Sequence, residues 1–255
     1  MIAILLCAGF ATRMYPLTKN FPKPLLKVCG KSVLDYLMDQ LLVLPQIESI
    51  HVVTNGLFYK NFLEWQAGWE KISSEYDIDI LLYNDGATRN ESRLGAVNDL
   101  AHTVKSLKTV APAIIAAGDN IFRFSLKPLA QTFIKTGKNI LIALEEIDYG
   151  RKKQKGILEI GPDNRVLRFY EKSIEAKSGW ACPPIYLLQL SALGYLEEYA
   201  TRPDAGDSPG YFMEYLVNKE PVYAVKVNGN RLDIGTIESY EEANRILSSE
   251  PVIVS

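Results

Sequence analysis

Short apolar runs bounded by Gly, Asn, Asp or Pro alternate along this chain with longer segments of helical period. That alternation is the pattern of β-α units wound around a mainly parallel sheet. Strands are expected over residues 2–6, 50–54, 80–83, 113–117, 140–145, 157–160, 166–170, 185–189 and 222–227. Between them, Val33, Leu34, Leu37, Met38, Leu41 and Leu42 follow the i, i+3, i+4, i+7 spacing of one helix face. Leu94, Val97, Asn98, Ala101 and Val104 trace a second stripe, and both are expected to pack on the sheet. Residues 150–178 break the alternation: they are rich in Lys, Glu and Gly and hold two short strand patterns around the turn sequence Gly161-Pro162-Asp163-Asn164. This segment reads as a flap inserted over one end of the sheet. With no linker-like tract and no internal repeat, a single domain over residues 1–255 is expected.

Composition narrows the function. Hydrophobic residues make up 47% of the 255 and charged ones 23%, the proportions of a globular protein with a sizeable core. Lys and Arg number 28 against 30 Asp and Glu, a net charge of −2. No basic footprint exists for nucleic acid or an anionic membrane, so an anionic ligand must be held by local groups. The apolar run from Met1 to Phe10 has no basic segment before it and is far shorter than the ~20 residues of a bilayer span, so it reads as a buried strand. Cys7, Cys29 and Cys182 are odd in number and widely separated, which argues against a disulfide framework or a zinc site and makes the cytoplasm the expected location. His51 and His102 are the only histidines, and neither stands in a ligand-spaced motif. A Ser-His-Asp triad or a histidine-bound metal has little support.

The first concentration of chemistry follows the first strand: Leu6-Cys7-Ala8-Gly9-Phe10-Ala11-Thr12-Arg13-Met14, then Pro16-Leu17-Thr18 and Phe21-Pro22-Lys23-Pro24. A glycine turn at a strand's carboxyl end presents backbone N–H groups, and Thr12, Arg13 and Lys23 complete a cradle for a polyphosphate. Arg13 suits forked contacts and Lys23 a point charge. Alone, such a turn is more often a solvated loop. The whole string resembles the sugar-1-phosphate nucleotidyltransferases, or NDP-sugar pyrophosphorylases, and is similar to the glucose-1-phosphate thymidylyltransferases among them. Their signature is Gly-x-Gly-Thr-Arg followed by Pro-Leu-Thr and Pro-Lys-Pro. Ala11 stands where the family usually has its second glycine, and a Cβ there restricts close backbone approach to the phosphates. The absence of a third glycine separates the motif from the dinucleotide fingerprint.

Two further segments extend the resemblance. Ile114-Ile115-Ala116-Ala117-Gly118-Asp119 is an apolar strand ending in a carboxylate, at the sheet edge where open α/β folds bind ligands. It resembles the family's Gly-Asp motif, whose Asp holds Mg²⁺. Leu232-Asp233-Ile234-Gly235-Thr236 resembles the closing Asp-x-Gly-Thr segment, with the second metal ligand and a helix start at the Thr. Seen singly, each Asp would be a cap or turn residue. Gly156 and the pair Glu171-Lys172 are similar to the family's sugar-site elements, in which a glycine backbone and the Glu meet sugar hydroxyls and the Lys meets the 1-phosphate. Ser173 replaces the family's usual Pro, and without the other motifs the pair would be surface charge on a strand edge. Asn84 and Gly95 resemble positions that bond the nucleotide base, but residues 87–92 between them form a longer loop than in thymidylyl members, leaving base identity open.

The resemblance spans Ile4 to Asn244 and implies a Rossmann-like, three-layer α/β/α fold with a mixed, mainly parallel central sheet and the β flap over the substrate site. The activity it implies is Mg²⁺-dependent transfer of NMP from an NTP to a sugar 1-phosphate. Leu6, Ala8, Gly9, Phe10, Ala11, Thr12, Arg13, Lys23, Asn84 and Gly95 would hold the nucleotide. Gly156, Glu171 and Lys172 would hold the acceptor. Catalysis would fall to Arg13, Lys23, Asp119 and Asp233, the last two carrying Mg²⁺. The implied partners are an NTP and a phosphorylated small molecule, with no nucleic acid and no membrane. A homo-oligomer is left open, with Phe62, Leu63, Trp65 and Trp69 read as core. Two alternatives stand: a cytidylyltransferase for phosphocholine or a phosphonate, with Trp180, Tyr186, Tyr211 and Glu214 around a quaternary ammonium, or a non-catalytic domain that binds a nucleotide sugar. The intact Arg13, Lys23, Asp119 and Asp233 weigh against the second. Little sequence follows the last helical stretch, so an added β-helical acyltransferase domain is not expected.

Overall fold

Residues 1–108, 110–146 and 153–249 are described by the structure, a computed structural model. In the first half, β1 (Ile2–Leu6) is followed by the short hairpin β2 (Lys27–Val28) and β3 (Lys31–Ser32), then α1 (Val33–Leu42), β4 (Ser49–Thr54), α2 (Tyr59–Glu75), β5 (Asp79–Asn84), α3 (Ala96–Ser106) and β6 (Ala113–Ala117). The second half runs β7 (Asn120–Arg123), α4 (Lys127–Thr136), β8 (Asn139–Glu145), β9 (Gly156–Ile160), β10 (Val166–Glu171), β11 (Trp180–Cys182) and β12 (Ile185–Leu188). It closes with α5 (Leu190–Ala200), α6 (Pro209–Val217), β13 (Val222–Lys226), β14 (Asn230–Asp233) and α7 (Ile237–Ser249).

Side chains of β1 and β6 are buried on both faces, so each strand feeds two cores in alternation. Ala3, Leu5, Ile114 and Ala116 join α1, α2 and α4 on one face; Ile2, Ile4, Ala113 and Ile115 join α3, α5 and α6 on the other. The result is a three-layer α/β/α stack. The ten-stranded sheet runs β10-β9-β11-β8-β12-β6-β1-β4-β5, with β13 beside β8. Strands β6, β1, β4 and β5 are parallel, and β12 is antiparallel to both β6 and β8. The parallel carboxyl ends therefore share one edge. At the start of α1, Ser32 Oγ accepts the Asp35 N–H at 3.2 Å while the Asp35 carboxylate accepts the Ser32 N–H, a reciprocal cap. Asp35 also takes the indole N–H of Trp65 and of Trp69, which pins α2 to α1.

Three readings need adjustment. The buried face of α3 carries Val97, Asp99, Leu100 and Thr103; Asn98 and Leu94 are exposed, because the helix starts only after Gly95. The β9–β10 hairpin does not stand off as a separate lid, since β11 pairs with both β9 and β8 and continues the main sheet into it. The first residues of that expected flap, 150–152, lie outside the described residues. Phe62 is fully buried and both tryptophans pack on the core, whereas Leu63 faces solvent. The short strands β7, β11 and β14, absent from the expected set, complete the architecture.

Candidate active site

The loop after β1 is held from beneath. Asn55, fully buried at the end of β4, donates its Nδ2 to Ala8 O at 2.9 Å and caps the Phe58 N–H with its Oδ1. Thr18 Oγ1 donates to Ala11 O at 2.8 Å and closes the turn from the other side. Between these supports, Ala11 adopts φ 49° and ψ 42°, the left-handed conformation in which a Cβ is costly. The chain thus keeps the backbone form that a second glycine would adopt freely. No atom of the described residues lies within 4 Å of where a Cβ on Gly9 would stand, while Ala8 and Phe10 are buried. Thr12 and Arg13 form an exposed 3₁₀ turn beside the buried Met14.

Met14 belongs to a small third core with Val28, Val33, Ile121, Ile234, Ala243 and Leu247. That core joins the phosphate-type loop to β7, β14 and α7. Strands β7 and β14 pair antiparallel with Asp233 opposite Asn120, and the Ile234 N–H donates to Asp119 O at 3.2 Å. Two acidic residues more than a hundred positions apart in sequence are thereby brought to the same end of this strand pair. Lys23 Nζ lies 2.5 Å from Asp119 Oδ2, Asn120 Nδ2 donates to Asp119 Oδ1, and Arg231 lies 3.7 Å from Asp233 Oδ2. A Cβ placed on Gly235 would stand 3.6 Å from Asp233 Oδ1 and 3.9 Å from the Arg13 guanidinium, so Arg13 reaches the same spot. Burial raises the Asp119 carboxyl, but the Lys23 ammonium on it, with Arg231 behind, outweighs this and holds it below the usual carboxylate value. Beneath them Cys7 is buried, and burial first, then Asp119, push its thiol well up, as for an inert packing residue. Thr236 Oγ1 accepts the Ser239 N–H, and Ser239 Oγ accepts the N–H groups of Gly235 and Thr236, so α7 starts at this motif.

The expected acceptor elements sit together at the β9–β10 hairpin. In the β9–β10 ladder Gly156 faces Glu171, and a Cβ on Gly156 would stand 2.4 Å from the Phe169 ring. Glu171, 9% exposed, takes the Ser208 hydroxyl at 2.6 Å and packs on Gly210, where a Cβ would stand 2.0 Å from Oε2. Lys172 is half-exposed with φ 51°, donates its N–H to Lys155 O, and carries Nζ 3.7 Å from Glu171 Oε1. The charge of Arg231 bears on Asp119 and also on Cys182 and Tyr186, two buried groups on which Glu171 acts as well.

On the other flank, Asn84 is exposed and accepts the Gly86 N–H, and Gly95 has φ 91° at the start of α3. Asp207, from the turn before α6, caps that start by accepting the Ala96 N–H at 3.0 Å and pairs with Arg93. The aromatic residues weighed for a quaternary ammonium do not form a cage. Tyr186 is buried in the core, and Lys226 stands 4.5 Å over the Trp180 ring. Sequence reasoning missed Asn55, Asp207 and Arg231. Only Asn55 had a legible signal, its place in Thr54-Asn55-Gly56 at a strand's carboxyl end.

Among the described residues no cluster of three His, Cys, Asp or Glu forms a metal cage, and no helix is long and apolar enough to cross a membrane. A similar protein is the bifunctional protein GlmU of Methanococcus maripaludis, 27% identical over 239 residues, which cover 92% of this chain. The chain spans about half, 51%, of that relative's length. A protein from Bacillus anthracis assigned as a glucose-1-phosphate thymidylyltransferase, solved in complex with a sucrose, superposes with a TM-score of 0.81 at 20% identity, covering 96% of this chain and 95% of its own. A UDP-glucose pyrophosphorylase complexed with UDP-glucose gives a TM-score of 0.80 at 18% identity over 98% of each chain. These likenesses establish the fold. The family profile described as Nucleotidyl transferase matches residues 2–250 and so takes in the loop after β1, both carboxylates and the whole sheet between them. With that span matched and those groups gathered at one edge of the sheet, the chain belongs to the nucleotidyl transferase family.

Proposed function

We propose that this protein transfers a nucleoside monophosphate from an NTP to a sugar 1-phosphate and releases pyrophosphate. The observation that carries the reading is the convergence of Arg13 and Lys23 with Asp119 and Asp233 at the carboxyl edge of the sheet. An acceptor phosphate oxygen attacks the α-phosphorus; the new O–P bond forms as the bond to the β-phosphate oxygen breaks, and its electron pair leaves with pyrophosphate. No general base is needed, because a phosphate monoester is already largely dianionic at neutral pH. The protein's task is positioning and charge neutralisation.

Each residue has a part in that task. The loop of residues 8–13 wraps the triphosphate, with Arg13 on the leaving β,γ-phosphates. Lys23 leaves Asp119 for the α-phosphate, and Lys172 steers the acceptor phosphate while Glu171 and Gly156 hold its sugar. Asn84 and Gly95 flank the base. The donor set fits Mg²⁺, which takes hard carboxylate oxygens from one or two residues and shares the rest of its octahedron with phosphates and water. Asp119 and Asp233 would hold it, and when bound it supplies neutralisation of the charge on the phosphates. Lys23 and Arg231 already counter these carboxylates, which supports weak metal binding without nucleotide. A pyrophosphate-release assay with Mg²⁺ across the NTPs, using glucose 1-phosphate, other sugar 1-phosphates and phosphocholine as acceptors, tests the reading. Release that depends on a sugar 1-phosphate is the expected result. Release only with phosphocholine, or none while nucleotide sugars bind, would overturn it.

A further inference from the structure

Where β4, β5 and the first turn of α3 come together, three buried side-chain oxygens have no hydrogen-bond partner among the described residues: Thr54 Oγ1, Asp85 Oδ2 and Asp99 Oδ1. Asp99 sits on the inward face of α3 at 5% exposure, and Asp85 immediately follows β5. The Asp85 carboxylate accepts the N–H of Ala87 at 2.7 Å, and the backbone N–H of Gly56 favours its charge. Its backbone N–H donates to Thr54 O, and Leu57 N–H donates to Ala87 O. Asp85 thus stitches the turn after β4 to the turn after β5. Its other oxygen, Oδ2, is buried without a partner among the described residues, as is Asp99 Oδ1, and each carboxyl acts on the charge of the other. Two carboxylates held in contact cannot both stay ionised without repulsion, and one proton between them converts that repulsion into an O–H···O bond.

The two residues bracket the loop that runs from the end of β5 to α3. Asn84 precedes the first, and Gly95 opens the helix turn that carries the second. We propose that Asp85 and Asp99 share a single proton and that this proton clamps the loop of residues 86–95, making both of them positioning residues for the base side of the nucleotide. The proposal rests on the nucleotide-binding reading above. Other charges facing the pair are His102 on α3, which favours the Asp85 carboxylate, and Asp207 before α6, which disfavours that of Asp99 and pairs outward with Arg93 at 3.5 Å. Burial, the neighbouring Asp85 and then Asp207 push Asp99 up to about 8, and burial raises Asp85 as well. The shared proton is therefore present at neutral pH and is lost just above it, when two facing carboxylates force the loop open.

The test compares the wild type with Asp99→Asn, whose amide supplies a donor at every pH. Hydrogen exchange of peptides from residues 86–95 is followed beside equilibrium binding of UTP, dTTP and CTP, each at about pH 7 and pH 9. One pH unit past the titration point leaves the clamp about tenfold less populated. The wild-type loop should then exchange about tenfold faster than that of Asp99→Asn at pH 9, and match it at pH 7. Affinity for whichever nucleotide binds should fall several-fold between the two pH values in the wild type only. Equal exchange in both proteins at both pH values would overturn the clamp, as would an equal fall in affinity. If none of the nucleotides binds any variant, the proposed function fails, while the exchange comparison still decides the clamp. Should Asp99→Asn not fold, Asp85→Asn creates the same amide-carboxyl pair at the half-buried position and is read in the same way.

Discussion

Ala11 puts a Cβ into the left-handed region, at φ 49°, in the turn after β1. That conformation costs an L-residue about 1–2 kcal/mol, against which glycine loses roughly 0.5–1 kcal/mol of unfolded-chain entropy. Ala11→Gly is therefore expected to gain up to about 1 kcal/mol in denaturant unfolding, with activity retained, and Ala11→Val to lose stability. A glycine variant less stable than the parent would show that the turn is not strained by its Cβ. His51 is a second single-residue case. The residue is 6% exposed, with Ser49 Oγ 2.8 Å from Nε2 and the Tyr83 hydroxyl 2.9 Å from Nδ1, and burial lowers its pKa to about 4. A folded value below the unfolded 6.5 means the unfolded chain binds the extra proton, so stability falls as pH drops from about 6.5 to about 4. The whole effect is on the order of 3 kcal/mol at about 1.4 kcal/mol per unit. Thermal unfolding across that window should show His51→Gln losing less stability than the wild type; equal slopes would mean another group governs it.

Elements carry side chains to places that no single residue could reach. Helix α6 begins Pro209-Gly210, and Gly210 leaves room for the Glu171 carboxylate, which Ser208 holds at 2.6 Å just ahead of the helix. Ala at position 210 suits a helix better than Gly by about 1 kcal/mol, so the fold should tolerate Gly210→Ala. Its Cβ would stand 2.0 Å from Glu171 Oε2 and drive the carboxylate from its seat. Steady-state kinetics should show a raised acceptor KM with NTP binding nearly unchanged. Parallel weakening of NTP binding would remove Glu171 from the acceptor side. The same packing logic explains α3. Its amphipathic stripe announced a helix, but beside Val97 and Leu100 its buried face carries Asp99, an acid that no apolar template selects and whose charge Asp85 opposes.

At the scale of the molecule, the third small core, Met14, Val28, Val33, Ile121, Ile234, Ala243 and Leu247, gathers segments from both ends of the chain and sets Asp119 beside Asp233. If the two share one ion, Asp119→Asn and Asp233→Asn should each fold and lose at least about a hundredfold in turnover, with the double mutant scarcely worse than either single. Multiplying losses, read from turnover of all three variants, would assign them to separate tasks. Much of this architecture was legible along the chain. Runs such as Ile2–Leu6 and Ala113–Ala117 are buried on both faces, so their sequence is apolar throughout and declares a parallel-sheet strand. The glycine turn, Asp119 and Asp233 were visible because each stands in a short motif whose residues lie within a few positions of one another. Strands β7 and β14 were not, since Asn120–Arg123 and Asn230–Asp233 are four residues each, polar at their ends, and among the described residues pair only with one another. Arg231, Asp207 and the Asp85–Asp99 pair were hidden for the same reason. The sequence by itself determined which segments become strands and helices and which short motifs carry charge, because those depend on near neighbours; tertiary structure alone decided which distant charges meet, because that depends on sheet order and on the cores that close over it.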